Sequence, residues 1–561
     1  MTVKSHPDLV VYSLHVAGGG TRSLHTEEIA RVCWQIFPDE FSWSRYPQYP
    51  DKESVNTALR GASTVGQDER VANPEPDMWR LTSLGIAWAA EHAVTLDNER
   101  LARAENVERQ RQRRQYTIGI LLGLVASLGV CFGIAHGDIV VGSLDGHWVY
   151  PYVRAFELSG LGVPLAAGVV ASVLVALQEP LIPRRTAFLV IAWLGVATTV
   201  QWALRSLTPV TFASIFVSDQ ANAFYSVAKH YPAAVILRDF EQLRPSFPLH
   251  AWSNMPGKLL LVSALKHVSR RPDRLAWLVV AISNLGGVLM YVFVNDLVRD
   301  RRVALFAQVL YLFTPGALYF FPLLNTVTPV LTLAFACLSS RWLRTQRPIY
   351  PALLGITLYG LILYEPLALG IGLLTTALAA RALARGDITR RTFLVQCGVG
   401  AGAFLAVYVL MAGVWHFDLF AALRAIEADA ERFNAGTDRP YSIWVWRNLV
   451  DFAFAMGIAQ AVIFCVVFWV SLARRAPWRA RLLDPITATC AALAGTLLVT
   501  DLIGVNRGEV IRLWIFLACF FQIPTAFACA RSGRTTALAL VVASSIVQSA
   551  LGTAMIGFVI P

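Results

Sequence analysis

The chain has 561 residues, of which 56% are hydrophobic and only 15% are charged. This balance is too apolar and too poor in charge for an ordinary soluble protein. The formal net charge of +11 is carried by short basic segments between apolar runs, so it does not indicate nucleic-acid binding. The eight cysteines show no disulfide framework and no metal-ligand spacing, and no metal site is predicted.

The first part of the chain, residues 1–93, is soluble in character and predicts a small α+β domain. Helices are expected at 8–17, from Thr26 onward and at 51–62, followed by a strand pair between Arg70 and Gly85 and a closing helix at 85–93. This order of three helices and a hairpin resembles a winged-helix domain. Residues 1–100 carry 9 Lys/Arg against 14 Asp/Glu, which makes nucleic acid an unlikely ligand. A cytoplasmic protein partner is expected instead.

Residues 94–115 continue as a charged helical stalk, and apolar runs then recur to the C-terminus. Each run is long enough to cross a hydrocarbon core of about 30 Å. Because they begin only after residue 115, no N-terminal signal peptide is expected. The sequence therefore predicts an all-α polytopic membrane protein with about thirteen spans, at 117–136, 158–178, 186–205, 275–297, 303–321, 325–343, 350–363, 366–383, 393–413, 449–472, 485–503, 511–530 and 536–558.

Basic segments at alternate connections predict the orientation of these spans. They lie at 108–115, 183–185, 298–302, 341–347, 381–391, 473–481 and 530–534. Such segments face the cytoplasm, so the N-terminus is expected there and the C-terminus outside, in a plasma or inner membrane. One basic patch, SRRPDR at 269–274, falls on the outer side. The orientation of the other segments is retained if 256–268 is a short membrane-edge or re-entrant helix that does not cross the membrane.

The outer segment between Ser218 and Lys258 is too long for a mere connector. It reads SDQANAFYSVAKHY and later PSFPLHAWSNMPGKLLL. Asp219 follows a span and opens a predicted helix at 219–230, where it is either a functional acid or only an N-cap. His250 and Lys258 flank the NMPG turn, whose free N–H groups could hold a phosphate oxygen. Lys258 is alternatively a snorkelling lysine.

An acid behind a span, followed by a Pro-bearing helix start, resembles the multi-spanning glycosyltransferases of the C-type fold. Protein O-mannosyltransferases and lipid A aminoarabinose transferases belong to that superfamily, whose first external loop carries a catalytic acid before a KPP- or PPG-like turn. Asp219 and NMPGK match these motifs. The resemblance implies that Asp219 is catalytic and that His250 and Lys258 bind the donor phosphate. Some members carry two adjacent acids, whereas Gln220 follows Asp219, so a divalent cation has no support and no cofactor is expected.

The resemblance also implies a four-part organisation of the chain. Its parts are a winged-helix-like cytoplasmic domain at 1–93, a stalk at 94–115, two extra transmembrane helices at 116–185 and a membrane-embedded glycosyltransferase domain at 186–561.

Later outer segments add further candidates. RGEVIRLW resembles a late-span motif of bacterial members, in which Arg512 suits phosphate binding, although Glu509 and Arg512 could simply pair on one helix face. Arg447 and Tyr441 lie in an aromatic, basic loop that indicates either a donor and sugar site or the membrane interface.

Two polar residues lie at outer ends of spans and are expected in the substrate cavity. Glu365 sits at a Pro-bearing break, where an intramembrane acid is functional by default or pairs with an arginine. Asn325, in FFPLLNTVTP, could bind substrate or cap the next helix.

The resemblance implies an inverting glycosyltransferase. It would move a sugar from a polyprenyl-phosphate donor to a protein, lipid or glycan acceptor on the extracytoplasmic face. The alternative is a transporter or flippase for a lipid-linked or small solute, with a cytoplasmic regulatory domain. Transporters usually place polar or broken helices near the midplane, whereas here polar residues gather in outer loops. A signalling membrane protein is a third reading, which the acidic N-terminal region disfavours.

Overall fold

A computed structural model describes residues 5–64, 69–155, 157, 162–474 and 477–561. The chain forms two compact units, Met1–Arg111 and Gln112–Pro561, referred to below as unit 1 and unit 2. The finer division of the chain into four parts remains a prediction.

In its described residues, unit 1 contains four helices and a three-stranded antiparallel sheet before a long helix begins. The sheet has the order β1-β3-β2, with Val71 opposite Leu81. Asp51 starts the fourth helix because its carboxylate accepts the N–H groups of Glu53 and Ser54, both at 3.1 Å. The elements are α1 (His6–Val16), β1 (Leu24–His25), α2 (Thr26–Ile36), α3 (Pro38–Phe41), α4 (Lys52–Ala62), β2 (Val71–Glu75), β3 (Met78–Leu81) and α5 (Ser83–His136).

The predicted helices and hairpin of this unit are present, and the predicted stalk is helical as part of α5. The sequence did not predict the two-residue strand β1. This element order is the one on which the winged-helix resemblance depends, and assignment to that class remains a prediction.

The described part of unit 2 is almost entirely helical apart from one hairpin. Its elements after α5 are β4 (Val141–Ser143), β5 (Trp148–Tyr150), α6 (Gly162–Gln178), α7 (Ile182–Arg205), α8 (Phe212–Val217), α9 (Phe224–His230), α10 (Ala233–Arg238), α11 (Phe240–Leu243), α12 (Leu249–Trp252), α13 (Gly257–Leu265), α14 (Pro272–Val298), α15 (Arg301–Leu312), α16 (Pro315–Phe320), α17 (Thr328–Thr345), α18 (Ile349–Tyr364), α19 (Gly372–Arg385), α20 (Arg390–Trp415), α21 (Leu419–Gly436), α22 (Tyr441–Met456), α23 (Ile458–Leu472), α24 (Trp478–Leu483), α25 (Pro485–Leu502), α26 (Val510–Leu513), α27 (Ile515–Phe520), α28 (Gln522–Arg531) and α29 (Thr535–Met555).

Length and composition make this a polytopic, all-α membrane protein. Within the described residues, nine helices are long and apolar enough to cross a membrane, or ten if the bent pair α22 and α23 counts as one span. The exposed apolar surface of α20, none of whose apolar window is buried, is what a lipid environment requires. The predicted total of thirteen spans remains a prediction.

Three predicted elements differ in the structure. The span predicted at 449–472 is not one straight helix: α22 and α23 meet at an angle of 105°, with Gly457 between them at φ +101°. The span at 511–530 is divided into the short helices α26, α27 and α28. The helix predicted at 219–230 begins only at Phe224, so Asp219 lies in the turn that precedes it.

The connections that carry the predicted cytoplasmic basic segments contact one another at one end of unit 2. Polar contacts join all seven of these connections. They are Arg113 to the Ser532 carbonyl (2.8 Å), Arg302 to Glu179 (2.5 Å) and to the Ala530 carbonyl (3.2 Å), Arg344 to Asp296 (2.7 Å), Gln346 to the Asp387 carbonyl (2.5 Å), and Arg381 to the Leu483 carbonyl (2.7 Å). The alternation of basic connections is therefore a feature of the fold. The side of the membrane that this basic end faces remains a prediction.

The helix predicted at 256–268 is short in the structure as well. It is α13, of nine residues, and at 1.5 Å per residue it extends only about 14 Å. It therefore cannot cross the hydrocarbon core. Because α14 ends at the basic end, the SRRPDR patch before α14 lies at the opposite end, as the sequence predicts.

Candidate active site

A cavity of about 370 Å³ opens at the end of unit 2 opposite the basic connections. Both α18 and α25 begin at the basic end, and the segments that follow them contribute to this cavity. α12 and α21 form the remaining walls. The polar residues that line it are His250, Ser253, Asn254, Glu365, Glu427, Asp429, Asn434, Arg439, Asn506, Arg507, Glu509 and Arg512.

A buried ion pair lies beside this cavity at the start of α13. Lys258 Nζ is 2.6 Å from Glu365 Oε2 and 2.6 Å from Asn254 Oδ1. The Lys258 side chain is 0% exposed and that of Glu365 is 11% exposed. The approach of α13 to the end of α18 requires Gly257, because a Cβ there would lie 2.5 Å from the Leu363 carbonyl oxygen. Lys258 is therefore a paired, buried cation rather than a snorkelling one.

A second group of charges surrounds Glu509, which begins α26 in the left-handed region at φ +58°. Its carboxylate lies 2.5 Å from Arg512 and 3.6 Å from Arg439. Burial raises the pKa of Glu509, but the two arginines lower it by more than burial raises it. The pKa of Glu509 therefore lies below its usual value. The single carboxylate of Glu509 thus pairs with two guanidinium groups, and this group of three residues has a net positive charge.

His250 faces this group, with Nε2 at 3.3 Å from Arg512 Nη1. Burial and then Arg512 lower the pKa of His250 to about 4, although Glu509 acts in the opposite direction. The ring also hydrogen-bonds the backbone of Gln220. At neutral pH His250 is therefore an uncharged imidazole next to a guanidinium group.

The wall formed by α21 contributes two acids with different surroundings. Asp429 is 3% exposed and pairs with Arg244 and Arg432. Glu427 is exposed at the cavity, and among the described carboxylates that line it, Glu427 alone has no cation within ion-pair distance. Glu427 is thus a free carboxylate in contact with the space that a substrate would fill.

Arg507 completes the lining as a cation held by backbone groups. Its Nη1 donates to the Arg439 carbonyl at 2.9 Å, and Arg439 donates in return to the Arg507 carbonyl at 2.8 Å. The lining itself has three cations, Arg439, Arg507 and Arg512, and four carboxylates, Glu365, Glu427, Asp429 and Glu509. Three further cations, Lys258, Arg244 and Arg432, pair with two of these carboxylates from outside the lining, so that six cations stand against four carboxylates when these partners are included. This excess of positive charge suits an anionic ligand.

Five of the nine residues predicted from the sequence meet at this site. His250, Glu365, Glu509 and Arg512 line the cavity, and Lys258 pairs with one of them. They come from three separate segments of the chain.

The other four predicted residues lie elsewhere. Arg447 donates to the Val140 carbonyl and lies 3.4 Å from Asp451. Tyr441 is 39% exposed and donates to the Leu502 carbonyl at 2.9 Å. Asn325 lies in a 3-10 turn at Leu324–Val327. None of these three residues lines the cavity.

Asp219 is exposed in the turn between α8 and α9, where it accepts a hydrogen bond from Ser226. It does not cap α9, whose N-cap is Ala223, so the N-cap interpretation is wrong. Asp219 does not line the cavity. However, it directly precedes Gln220, whose backbone contacts His250.

The sequence interpretation missed the α21 wall, including Glu427, Asp429 and Asn434. A signal was present, because Leu423, Ile426, Ala430 and Phe433 recur at spacings of three and four, which predicts an amphipathic helix. The sequence analysis expected only a connection between the spans at 393–413 and 449–472, and no helix was predicted there.

Comparison with known proteins adds no assignment: no protein-family model matches the chain, and no curated protein matches it. Among the residues that the structure describes, no three His, Cys, Asp or Glu side chains are grouped so that they could hold a metal ion.

Proposed function

We propose that the protein is a membrane glycosyltransferase that takes a sugar from a polyprenyl-phosphate donor, with the cationic cavity as its active site. The observation that carries this proposal is the gathering of His250, Glu365, Glu509 and Arg512 in one cavity with excess positive charge. The proposal also rests on the resemblance of SDQ and NMPGK to C-type enzymes. The winged-helix-like character of unit 1 and the extracytoplasmic position of the cavity belong to the same proposal.

The chemistry requires two tasks of the cavity. A carboxylate removes the proton of the acceptor hydroxyl as its oxygen attacks the anomeric carbon, and the bond from that carbon to the phosphate oxygen breaks with inversion. The leaving lipid phosphate then carries additional charge, which Arg512 and Arg439 stabilise as preorganised donors. Neutral His250 accepts a hydrogen bond from Arg512 through Nε2 and so helps to hold that guanidinium group in place.

Two carboxylates are available as the base. Glu427 lines the cavity and has no cationic partner, and Asp219 occupies the motif position one residue from the His250 contact. The Asp219→Asn and Glu427→Gln variants distinguish them, because each retains size while it removes the proton acceptor. Loss of the true base is expected to reduce transfer by about 10²–10⁴-fold, whereas the other variant should retain most activity.

The experiment supplies membranes that contain the protein with polyprenyl-phosphate mannose or polyprenyl-phosphate arabinose, labelled in the sugar. Label is measured in lipid, protein and glycan fractions. Arg512→Ala is expected to abolish transfer and Arg512→Lys to restore only part of it, since lysine lacks the bidentate fork. Arg424→Ala, on the exposed face of α21, is the control. Transfer that withstands Arg512→Ala and both carboxylate variants, at normal protein abundance, would refute the proposal.

A further inference from the structure

A second cavity, of about 270 Å³, lies where α7 and α29 end. Both helices belong to segments that are long and apolar enough to cross a membrane. Arg154 and Arg205 line this cavity together with Thr208 and Thr553. It shares no lining residue with the candidate active site.

Two arginines face the cavity, and in the part of the chain that the structure describes neither of them forms an ion pair with a carboxylate. Among the described residues that line it, none is Asp or Glu. Arg205 Nε and Thr553 Oγ1 are buried and have no hydrogen-bond partner. A buried donor left without a partner costs free energy, so these groups are free to bind an acceptor that enters the cavity.

The position of Arg154 is fixed by the surrounding backbone. Val153 N–H donates to the Met555 carbonyl at 2.8 Å, and Gly557 N–H donates to the Pro151 carbonyl at 2.7 Å. Arg154 itself donates to the Leu207 carbonyl at 2.9 Å. The segment before Arg154 is therefore attached to the chain after α29, and Arg154 to the chain after α7, so both arginines are held at one place.

The remainder of the lining is mostly apolar, from Val153, Val210, Tyr319, Ile556, Gly557, Phe558, Val559 and Ile560, and it also includes Pro561, the last residue, with its terminal carboxylate. A cavity with cations and free donors among apolar side chains, at the ends of membrane helices, matches an amphiphile with an anionic head. We propose that this cavity binds the phosphate group of a membrane lipid. Arg154 and Arg205 would bind the phosphate oxygens, and the apolar lining would contact the adjoining glycerol and acyl carbons. This site is independent of the proposed glycosyl transfer.

The test measures lipid binding to the full-length protein, purified and delipidated in detergent, by native mass spectrometry. Dioleoyl phosphatidylglycerol is expected to bind about tenfold more tightly than dioleoyl phosphatidylcholine, whose choline offsets the phosphate charge. Arg154→Gln and Arg205→Gln should each weaken phosphatidylglycerol binding by about tenfold or more, and leave phosphatidylcholine binding unchanged. Arg184→Gln, at the other end of α7, is the matched control and should bind like the wild type.

Several outcomes would contradict the proposal. Unchanged phosphatidylglycerol binding in Arg154→Gln, which alters an exposed side chain, would do so even if Arg205→Gln fails to fold. An equal loss in Arg184→Gln would indicate general surface electrostatics. Full displacement of the lipid by excess inorganic phosphate would indicate a site for a soluble anion. The melting temperature of each variant verifies that the fold is intact.

Discussion

Lys258 and Glu365 form an ion pair from which water is almost excluded. Moving each charge out of water costs several kcal/mol, and the attraction between them offsets this cost only while both are present. Removal of one partner leaves a buried charge without compensation. The pair therefore constrains the site whatever substrate the cavity binds.

A double-mutant comparison separates structural from chemical roles of this pair. Lys258→Met is expected to destabilise the protein by about 3–5 kcal/mol because Glu365 is then buried alone. Lys258→Met combined with Glu365→Leu should recover most of that loss, since two apolar side chains replace two charges. Thermal unfolding in detergent measures both effects. A double variant no more stable than the single one would contradict this explanation, because the loss would then not come from an unpaired Glu365.

His250 predicts a pH dependence of stability. Its folded pKa of about 4 is below its ordinary value of 6.5, because burial and Arg512 oppose its charge. Glu509 and Lys258 also face it and act in opposite directions. Between pH 6.5 and 4 the unfolded chain binds this proton and the folded chain does not, so stability falls as pH falls, by up to about 1.4 kcal/mol per pH unit. Above pH 6.5 this contribution is absent.

The measurement compares the melting temperatures of the wild type and His250→Asn across that pH range. The difference between them should change in favour of the variant as pH falls from 6.5 towards 4. His267→Asn, an exposed histidine of the same region, should show no such trend. A parallel pH profile for the wild type and His250→Asn would mean that His250 is protonated in the folded protein.

At the scale of elements, the contact between α13 and the end of α18 forms the inner side of the site. Gly257 allows it, because a Cβ would lie 2.5 Å from the Leu363 carbonyl oxygen and 2.7 Å from Tyr364 Cα. These are backbone atoms, which cannot move aside as a side-chain tip can. The distance between Lys258 and Glu365 depends on this close approach.

Gly257→Ala is therefore expected to displace α13, destabilise the protein by about 1–3 kcal/mol and reduce transfer in the proposed assay. Gly360→Ala in α18 is the matched control, because its added Cβ meets nothing within 4 Å. Inside a helix this change should be neutral or stabilise by about 0.5–1 kcal/mol. Equal effects of the two substitutions would refute the close-contact argument.

The straight apolar helices were predictable from the sequence, because hydropathy and length determine them. The span predicted at 275–297 is α14, and the span predicted at 393–413 lies within α20. The bend at Gly457 was not predictable in this way. Apolar residues continue on both sides of Gly457, so a hydropathy profile shows one continuous apolar segment there. Its φ of +101° is a backbone state that glycine adopts readily, and it becomes visible only in three dimensions.

The charged contacts of the site were only partly predictable. Glu509 and Arg512 are three residues apart, so their pairing could be proposed from helical spacing. Lys258 and Glu365 are 107 residues apart, and the sequence marked each as functional without indicating that they pair. Local spacing carries no information about such a contact, which depends on how α13 and α18 pack.

At the scale of the whole molecule, two groups of charged residues lie at opposite ends of unit 2. The basic connections meet at one end of unit 2, and the cavity lies at the other. Cytoplasmic loops carry an excess of Lys and Arg, so we expect the basic end in the cytoplasm and the cavity outside. A donor with a polyprenyl anchor stays in the bilayer, which makes this orientation decisive for the substrate that the cavity can meet.

Cysteine labelling in intact cells tests this orientation. Asp438→Cys lies between α21 and α22, near the cavity, and Asp387→Cys lies between α19 and α20 at the basic end; both side chains are exposed. A membrane-impermeant maleimide should label Asp438→Cys in intact cells, and should label Asp387→Cys only after the cells are permeabilised. The wild type, with its eight native cysteines, gives the background. The reverse pattern would place the cavity in the cytoplasm and exclude transfer on the outer face.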